Sequence, residues 1–217
     1  MGRAGVTSVV GMLGAGLLLA ACTQNAGPSD VEPTRERSTE GTTPAASPAD
    51  DRPITLAFAG DTHFEFHLTD LFENPDAGLG PIDRVLSDAD VTVLNLETAI
   101  TTRGTPEPKE LEVPDNRYHF RTSPEALDVL AAAGVDAVTM ANNHGADYGP
   151  VGMRDTLRAR EDGPIAVIGV GRNQRDAFAP YRVTVRGTEI AVVAADASPR
   201  EGASTLWGAT ADDPGVA

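Results

Sequence analysis

Three short groups of polar residues each follow an apolar run. Asp61 and His63 come after residues 54–59, Asn95 and Glu97 close residues 91–97, and Asn142, Asn143 and His144 come after residues 137–141. Carboxylate, carboxamide and imidazole groups together are ligands for a divalent cation of borderline hardness, such as manganese, iron or zinc. Two such ions generate hydroxide near neutral pH and offset charge developing on a phosphoryl or carbonyl oxygen. In that chemistry Asp61 and His63 bind one ion and Asn143 binds the other through its amide oxygen. Glu97 bridges them, because a carboxylate has two oxygens. His144 polarises or protonates the substrate or the leaving group. Each group also has a plain structural use: Gly60-Asp61 suits a turn, and Asn95-Leu96-Glu97 suits a strand meeting solvent. Asn142-Asn143-His144, between a buried strand and Gly145, fits that use less well. The order of the three groups together favours a site.

Such a site needs elements to position it. Residues 54–59, 91–96, 137–141, 165–170 and 190–194 are short β-branched runs closed by polar or turn residues, and read as buried strands. Ser123-Pro124-Glu125 is a helix start. Leu127, Leu130 and Ala131 then share a face, and Gly134 is a stop. Residues 81–89 and 151–161 carry weaker helical patterns. Residues 181–185 and 189–194 flank Arg186-Gly187-Thr188 as a hairpin. The segment after Asp196 reads as a loop. Alternating strands and helices imply a layered α/β fold with a largely parallel sheet. In such sheets ligands bind beyond the carboxyl ends of the strands, where all three polar groups fall.

Other residues carry less. His67 could share a helix face with His63 but reads as a surface residue or one that supports the ligands from behind. His119, in the alternating stretch 117–121, reads as structural, and Trp207 as packing. Gly169-Val170-Gly171 hints at a phosphate loop, without the Lys-Ser/Thr that would follow.

The chain has 217 residues, with 17 Lys+Arg against 32 Asp+Glu and a net charge of −15. That balance argues against nucleic-acid partners, which need clustered cations, and against electrostatic docking on anionic lipid. One cysteine excludes an internal disulfide framework and a Cys-rich zinc site. Arg3 is the only charged residue before Asp30, and Val9 to Ala21 is apolar or small throughout. That run is shorter than the roughly 20 residues of a spanning helix and fits a signal-peptide core. Leu19-Ala20-Ala21-Cys22 resembles a bacterial lipobox, so residues 1–21 are expected to be a lipoprotein signal and Cys22 the lipidated residue. The other reading is an ordinary signal with an incidental cysteine. Residues 22–52 are expected to be a disordered tether, since 23–52 hold four Pro, eight Ser or Thr and no aromatic residue. Residues 53–217 are then the folded domain, held through a lipid anchor at the extracytoplasmic face of the bacterial cell membrane.

Gly60-Asp61, then Asn95-Leu96-Glu97-Thr98, then Ala141-Asn142-Asn143-His144-Gly145-Ala146-Asp147-Tyr148-Gly149, resemble the CapA-type poly-gamma-glutamate capsule biosynthesis proteins. These are a branch of the calcineurin-like metallo-dependent phosphatase superfamily. The resemblance runs from about Ile54 to Ala195. It implies a four-layer αββα sandwich, of which this chain is the N-terminal portion, and a site for two divalent ions (Mn, Fe or Zn). It marks Asp61, His63, Asn95, Glu97 and Asn143 as metal ligands and His144 as catalytic. The superfamily completes its site with later histidines, and this chain has none after His144. The domain is therefore expected to be incomplete at its C-terminus. Two functions stay open: a lipid-anchored metallohydrolase acting on a phosphoester or gamma-glutamyl polymer, and a non-catalytic polymer-binding or assembly factor on the same fold. A chain of charge −15 repels a polyanion, so an anionic cell-surface polymer calls for metal ions or a basic patch drawn from Arg117, Arg121, Arg172 and Arg175.

Overall fold

The computed structural model describes residues 52–109, 113–198 and 207–217. The expected signal segment, Cys22 and the tether up to residue 51 lie outside the described residues. In chain order the elements are β1 (Leu56–Thr62), a 3-10 stretch (Phe66–Glu73), α1 (Asp83–Ser87), β2 (Val91–Leu96), β3 (Ala99–Ile100), β4 (Arg121–Thr122), α2 (Glu125–Ala132), β5 (Ala137–Thr139), α3 (Gly149–Asp162), β6 (Ala166–Ile168), β7 (Val170–Gly171), α4 (Gln174–Ala177), β8 (Tyr181–Val185), β9 (Thr188–Val192) and β10 (Gly215–Val216).

The sheet runs β1-β2-β5-β6, and every pairing in it is parallel. The expected α/β class with a parallel sheet is what the chain adopts. Leu94, Leu96, Val138, Met140 and Val167 face one way and pack with Leu127, Leu130, Met153 and Leu157 of α2 and α3. Val91, Val93 and Ala137 face the other way, under Tyr181, Val183, Ile190 and Val192 of the β8–β9 hairpin. The chain thus stacks helices, a parallel sheet and a hairpin in three layers. Helix α2 ends as its sequence suggests. Gly134 takes φ +88, and the N–H of Val135 returns to the carbonyl of Leu130. A side chain at Gly134 would also collide with Ser87, whose Cβ lies 2.6 Å from where a Cβ would stand.

Four expectations change. The expected hairpin of 181–185 and 189–194 forms, but its second strand is Thr188–Val192, so Thr188 leaves the turn and residues 193–194 leave the strand. Arg186 and Gly187 both take left-handed backbone (φ +47 and +82), a two-residue turn whose twist suits a hairpin. Second, the run 165–170 breaks at Gly169 (φ +82), where a Cβ would stand 2.5 Å from the backbone nitrogen of Ala141. Third, a Cβ at Gly171 would stand 2.1 Å from the backbone nitrogen of Ala177 in α4, so these glycines serve close packing and make no phosphate loop. Fourth, the segment after Asp196 is not all loop. Strand β10 pairs antiparallel with β7, Val216 joins the core, and Trp207 packs there as expected.

A clamp ties the hairpin to the sheet. Arg186 donates two hydrogen bonds to Asp90 (2.6 and 2.7 Å) and one to the carbonyl of Pro53. Asp90 also accepts from the backbone and hydroxyl of Thr55, at the entry to β1. The Arg186 guanidinium, with help from Thr55, holds the Asp90 carboxyl well below the usual carboxylate range. A carboxylate depressed in the fold stabilises it at pH values above its unfolded pKa, and this is lost as pH falls through the folded value. Arg186→Ala is therefore expected to lower Tm by a few degrees at pH 7 and to speed amide exchange in residues 181–192. The Tm difference should shrink in strong acid. Unchanged exchange in the hairpin would show that the clamp does not hold it.

Candidate functional site

The site begins with a bulge. Ala59 pairs with Leu94, but Asp61 pairs with Asn95, so Gly60 is an extra residue in β1. Had Gly60 paired with Asn95 in unbroken register, Asp61 would align with Leu96 and face the helices. A one-residue shift moves a side chain to the other face of a sheet, and here it brings Asp61 beside Asn95. Asn95 donates to Asp61 Oδ1 (2.7 Å), Asn142 donates to Asn95 Oδ1 (3.0 Å), and the N–H of His144 donates to Asn142 Oδ1 (3.0 Å). The ends fix the direction of this relay. A carboxylate only accepts and a backbone N–H only donates, so each carboxamide has one possible orientation. Asn142 also donates to the carbonyl of Leu96 (3.0 Å). The ends of β1, β2 and β5 are thereby tied together through side chains.

Glu97 stands just past β2, its N–H bonded to the carbonyl of Thr62. Burial pushes its carboxyl pKa up, and the Asp61 charge adds to this, while His144 and His63 oppose it. The expected residues Asp61, His63, Glu97 and His144 therefore lie within one electrostatic neighbourhood. Asn143 is half-buried in the same turn.

A second layer holds His144. Its Nδ1 lies 2.7 Å from Asp147 Oδ2. An ionised carboxylate has no proton to give, so the ring donates there and leaves Nε2 free. The same carboxylate oxygen accepts from the N–H of Phe120 (2.8 Å). Asp147 Oδ1 is 2.8 Å from the Lys109 ammonium, and both side chains are fully buried. Lys109 also donates to the carbonyl of Tyr118 (2.8 Å). Phe120 packs against both imidazoles, with centroids 5.1 Å from His63 and 4.4 Å from His144.

Sequence reasoning assigned no role to Asp147, Lys109, Phe120 or Asn142. Asp147 was visible three residues after His144, and Asn142 within its polar group. Lys109 and Phe120 carry no local signal. Other expectations resolve plainly. His67 is exposed on the 3-10 stretch, which begins after His63, so the two share no helix face. His119 donates to the carbonyl of Glu107 (2.5 Å), a structural role. Arg121 lies over the ring of Tyr148, at the start of α3, whereas Arg172 pairs with Glu161 near its end. Those two ends are about 20 Å apart for a helix of this length, so Arg121 and Arg172 do not share one patch.

The donor chemistry fits a divalent cation. Asp61 and Glu97 repel one another, and a cation between them would relieve that repulsion. Among the described residues, however, no three His, Cys, Asp or Glu side chains gather closely enough to hold an ion by themselves.

A polar relay across three parallel strand ends, beside a carboxylate-oriented histidine, defines an α/β protein with a strand-end site. The family described as bacterial capsule synthesis protein PGA_cap matches residues 55–217, and this chain belongs to it. A probable polyglutamine synthesis accessory protein of Mycobacterium tuberculosis is 32% identical over 128 residues, covering 58% of this chain and 32% of that protein. The capsule biosynthesis protein CapA of Bacillus anthracis is 23% identical over 142 residues (64% and 34%). The PGA biosynthesis protein CapA of Bacillus subtilis is 26% identical over 137 residues (62% and 35%). The aligned segment thus spans about a third of the length of these relatives.

Two substitutions test the geometry. Asn142→Asp sets a carboxylate against the carbonyl oxygens of Asn95 and Leu96, and each buried group left unpaired costs about 1–3 kcal/mol. A clear loss of stability at pH 7, partly recovered in acid as the new carboxyl gains a proton, is expected in thermal melts. No loss would mean that the relay is oriented otherwise. Glu97→Gln should do the opposite. A carboxyl raised in the fold costs stability once pH exceeds its folded pKa, and that cost vanishes below its unfolded value. Without metal the variant should melt at or above the parent at pH 7 and match it near pH 4. A lower Tm at pH 7 would contradict the desolvated environment.

Proposed function

We propose that this chain is a lipid-anchored, extracytoplasmic capsule-synthesis factor with a metal-dependent hydrolytic site acting on a phosphoester or gamma-glutamyl polymer. The observation that carries this reading is the convergence of Asp61, His63, Glu97 and His144 at the strand ends, with the His144 ring held by a buried carboxylate. Family membership and the names of its relatives support the capsule context. The apolar run ending in Leu19-Ala20-Ala21-Cys22 supports the anchor. The proposed architecture is the αββα sandwich, with the β8–β9 hairpin as the start of its second sheet.

Asp61, His63, Glu97 and Asn143 would hold the ions. When bound, divalent ions supply a hydroxide near neutral pH and neutralise developing charge. The remaining work falls to the chain. We read Asn95 as positioning Asp61 rather than as a ligand, since its amide nitrogen is given to Asp61 and its oxygen to Asn142. His144, with Nδ1–H given to Asp147, presents Nε2, which takes a proton from the attacking water and passes it to the leaving atom. Lys109 pairs with Asp147 Oδ1 and holds the carboxylate turned towards that ring.

The test uses the full-length protein in membranes, supplied with manganese, iron or zinc, and a phosphodiester or gamma-glutamyl polymer. Turnover is expected in the membrane fraction, and in the soluble fraction for Cys22→Ala. Glu97→Gln and His144→Ala should each reduce turnover by about 10²-fold or more while circular dichroism stays unchanged. Equal turnover in both variants would sink the hydrolytic reading. A non-catalytic polymer-binding role is the second reading, favoured by the absence of a closed three-ligand cluster among the described residues. It requires that polymer binding persist in EDTA, and loss of binding with folding intact would exclude it.

A further inference from the structure

A separate cavity of about 380 Å³ lies at the start of α3. Its size falls within the range of small-molecule sites. Trp207, Met153 and Pro150 provide apolar wall, and Glu107, Arg154 and Asp213 provide charge.

The cavity is built rather than incidental. The Glu107 backbone is fixed on both sides, its N–H given to the carbonyl of Asp147 (2.8 Å) and its carbonyl accepting from His119. Its carboxylate rests over Gly149, where a Cβ would come within 2.2 Å of Glu107 Oε1 and where φ is +55. The positive φ favours glycine at that position. Asp213 is held by the hydroxyl of Thr210 (2.9 Å). Trp207 forms the wall shared with the buried cluster, its ring centroid 5.9 Å from the Lys109 ammonium.

Among the described residues, neither the Glu107 carboxylate nor the Arg154 guanidinium makes a hydrogen bond or ion pair, and they do not reach each other. Opposite charges facing one apolar-walled cavity without pairing are complementary to a ligand that carries both signs. We propose that this cavity binds a small zwitterion of amino-acid type. Its ammonium meets Glu107 and Asp213, its carboxylate meets Arg154, and its apolar side group lies against Trp207 and Met153. The proposal goes beyond the strand-end site and does not depend on metal there.

The test is calorimetric titration of the full chain with methionine at millimolar concentration. The controls are N-acetylmethionine, which lacks the ammonium, and 3-(methylthio)propylamine, which lacks the carboxylate. Saturable binding of methionine is expected, with each control weaker by about tenfold or more, since each loses a charge-assisted contact. Glu107→Gln and Arg154→Met should each weaken methionine by a similar factor. Arg154 is exposed, so its replacement leaves folding intact, which a thermal melt verifies. Three results would overturn the proposal: no methionine binding, equal binding of the amine alone, or methionine binding unchanged in both variants.

Discussion

The Asp147 carboxylate is the point on which the upper edge of this molecule turns. It is buried and charged, and a buried charge must be paired and hydrogen-bonded to be tolerated. Its partners come from three stretches of chain: the His144 ring, the Lys109 ammonium and the Phe120 N–H. Meeting that requirement draws residues 107–109 and 117–120 over the strand ends. It is also what sets Phe120 against the two imidazoles. Removing one member of a buried pair costs about 3–5 kcal/mol, because the charge left behind is buried and uncompensated.

Below it, the site is organised by the direction of donors and acceptors. Asp61 can only accept and the His144 backbone N–H can only donate, which leaves one orientation for each carboxamide between them. The bulge at Gly60 makes this possible by turning Asp61 to the face of Asn95. Glu97 sits beside this relay in an unfavourable state, desolvated and next to another carboxylate. A fold that tolerates such a group gives up stability at that position.

Much of the layout was legible in the residues. The β-branched runs marked the four parallel strands; β2 is apolar because both its faces are buried, whereas β1, expected to be buried, is a mostly exposed edge strand. The turn at Arg186-Gly187 was legible because a hairpin of two residues needs left-handed backbone. The pairing of residues 188–192 with β8 was legible for the same reason, since a short turn leaves no chain for a crossover. Strand β10 was missed because a two-residue strand has no periodicity to detect. Its partner, β7, was hidden inside what read as one run with β6 until Gly169 broke it.

The sequence by itself determined where strands end and which polar groups stand there, since strand propensity and turn chemistry act within a few residues. It also determined the family, through the order of Asn95-Leu96-Glu97 and Asn142-Asn143-His144. Only the tertiary structure decided which face Asp61 takes, which carboxamide orients it, and that Lys109 belongs to the His144 cluster. Those outcomes rest on contacts between residues 34 to 47 positions apart. Contacts at that separation depend on how whole elements pack, and no local pattern encodes them.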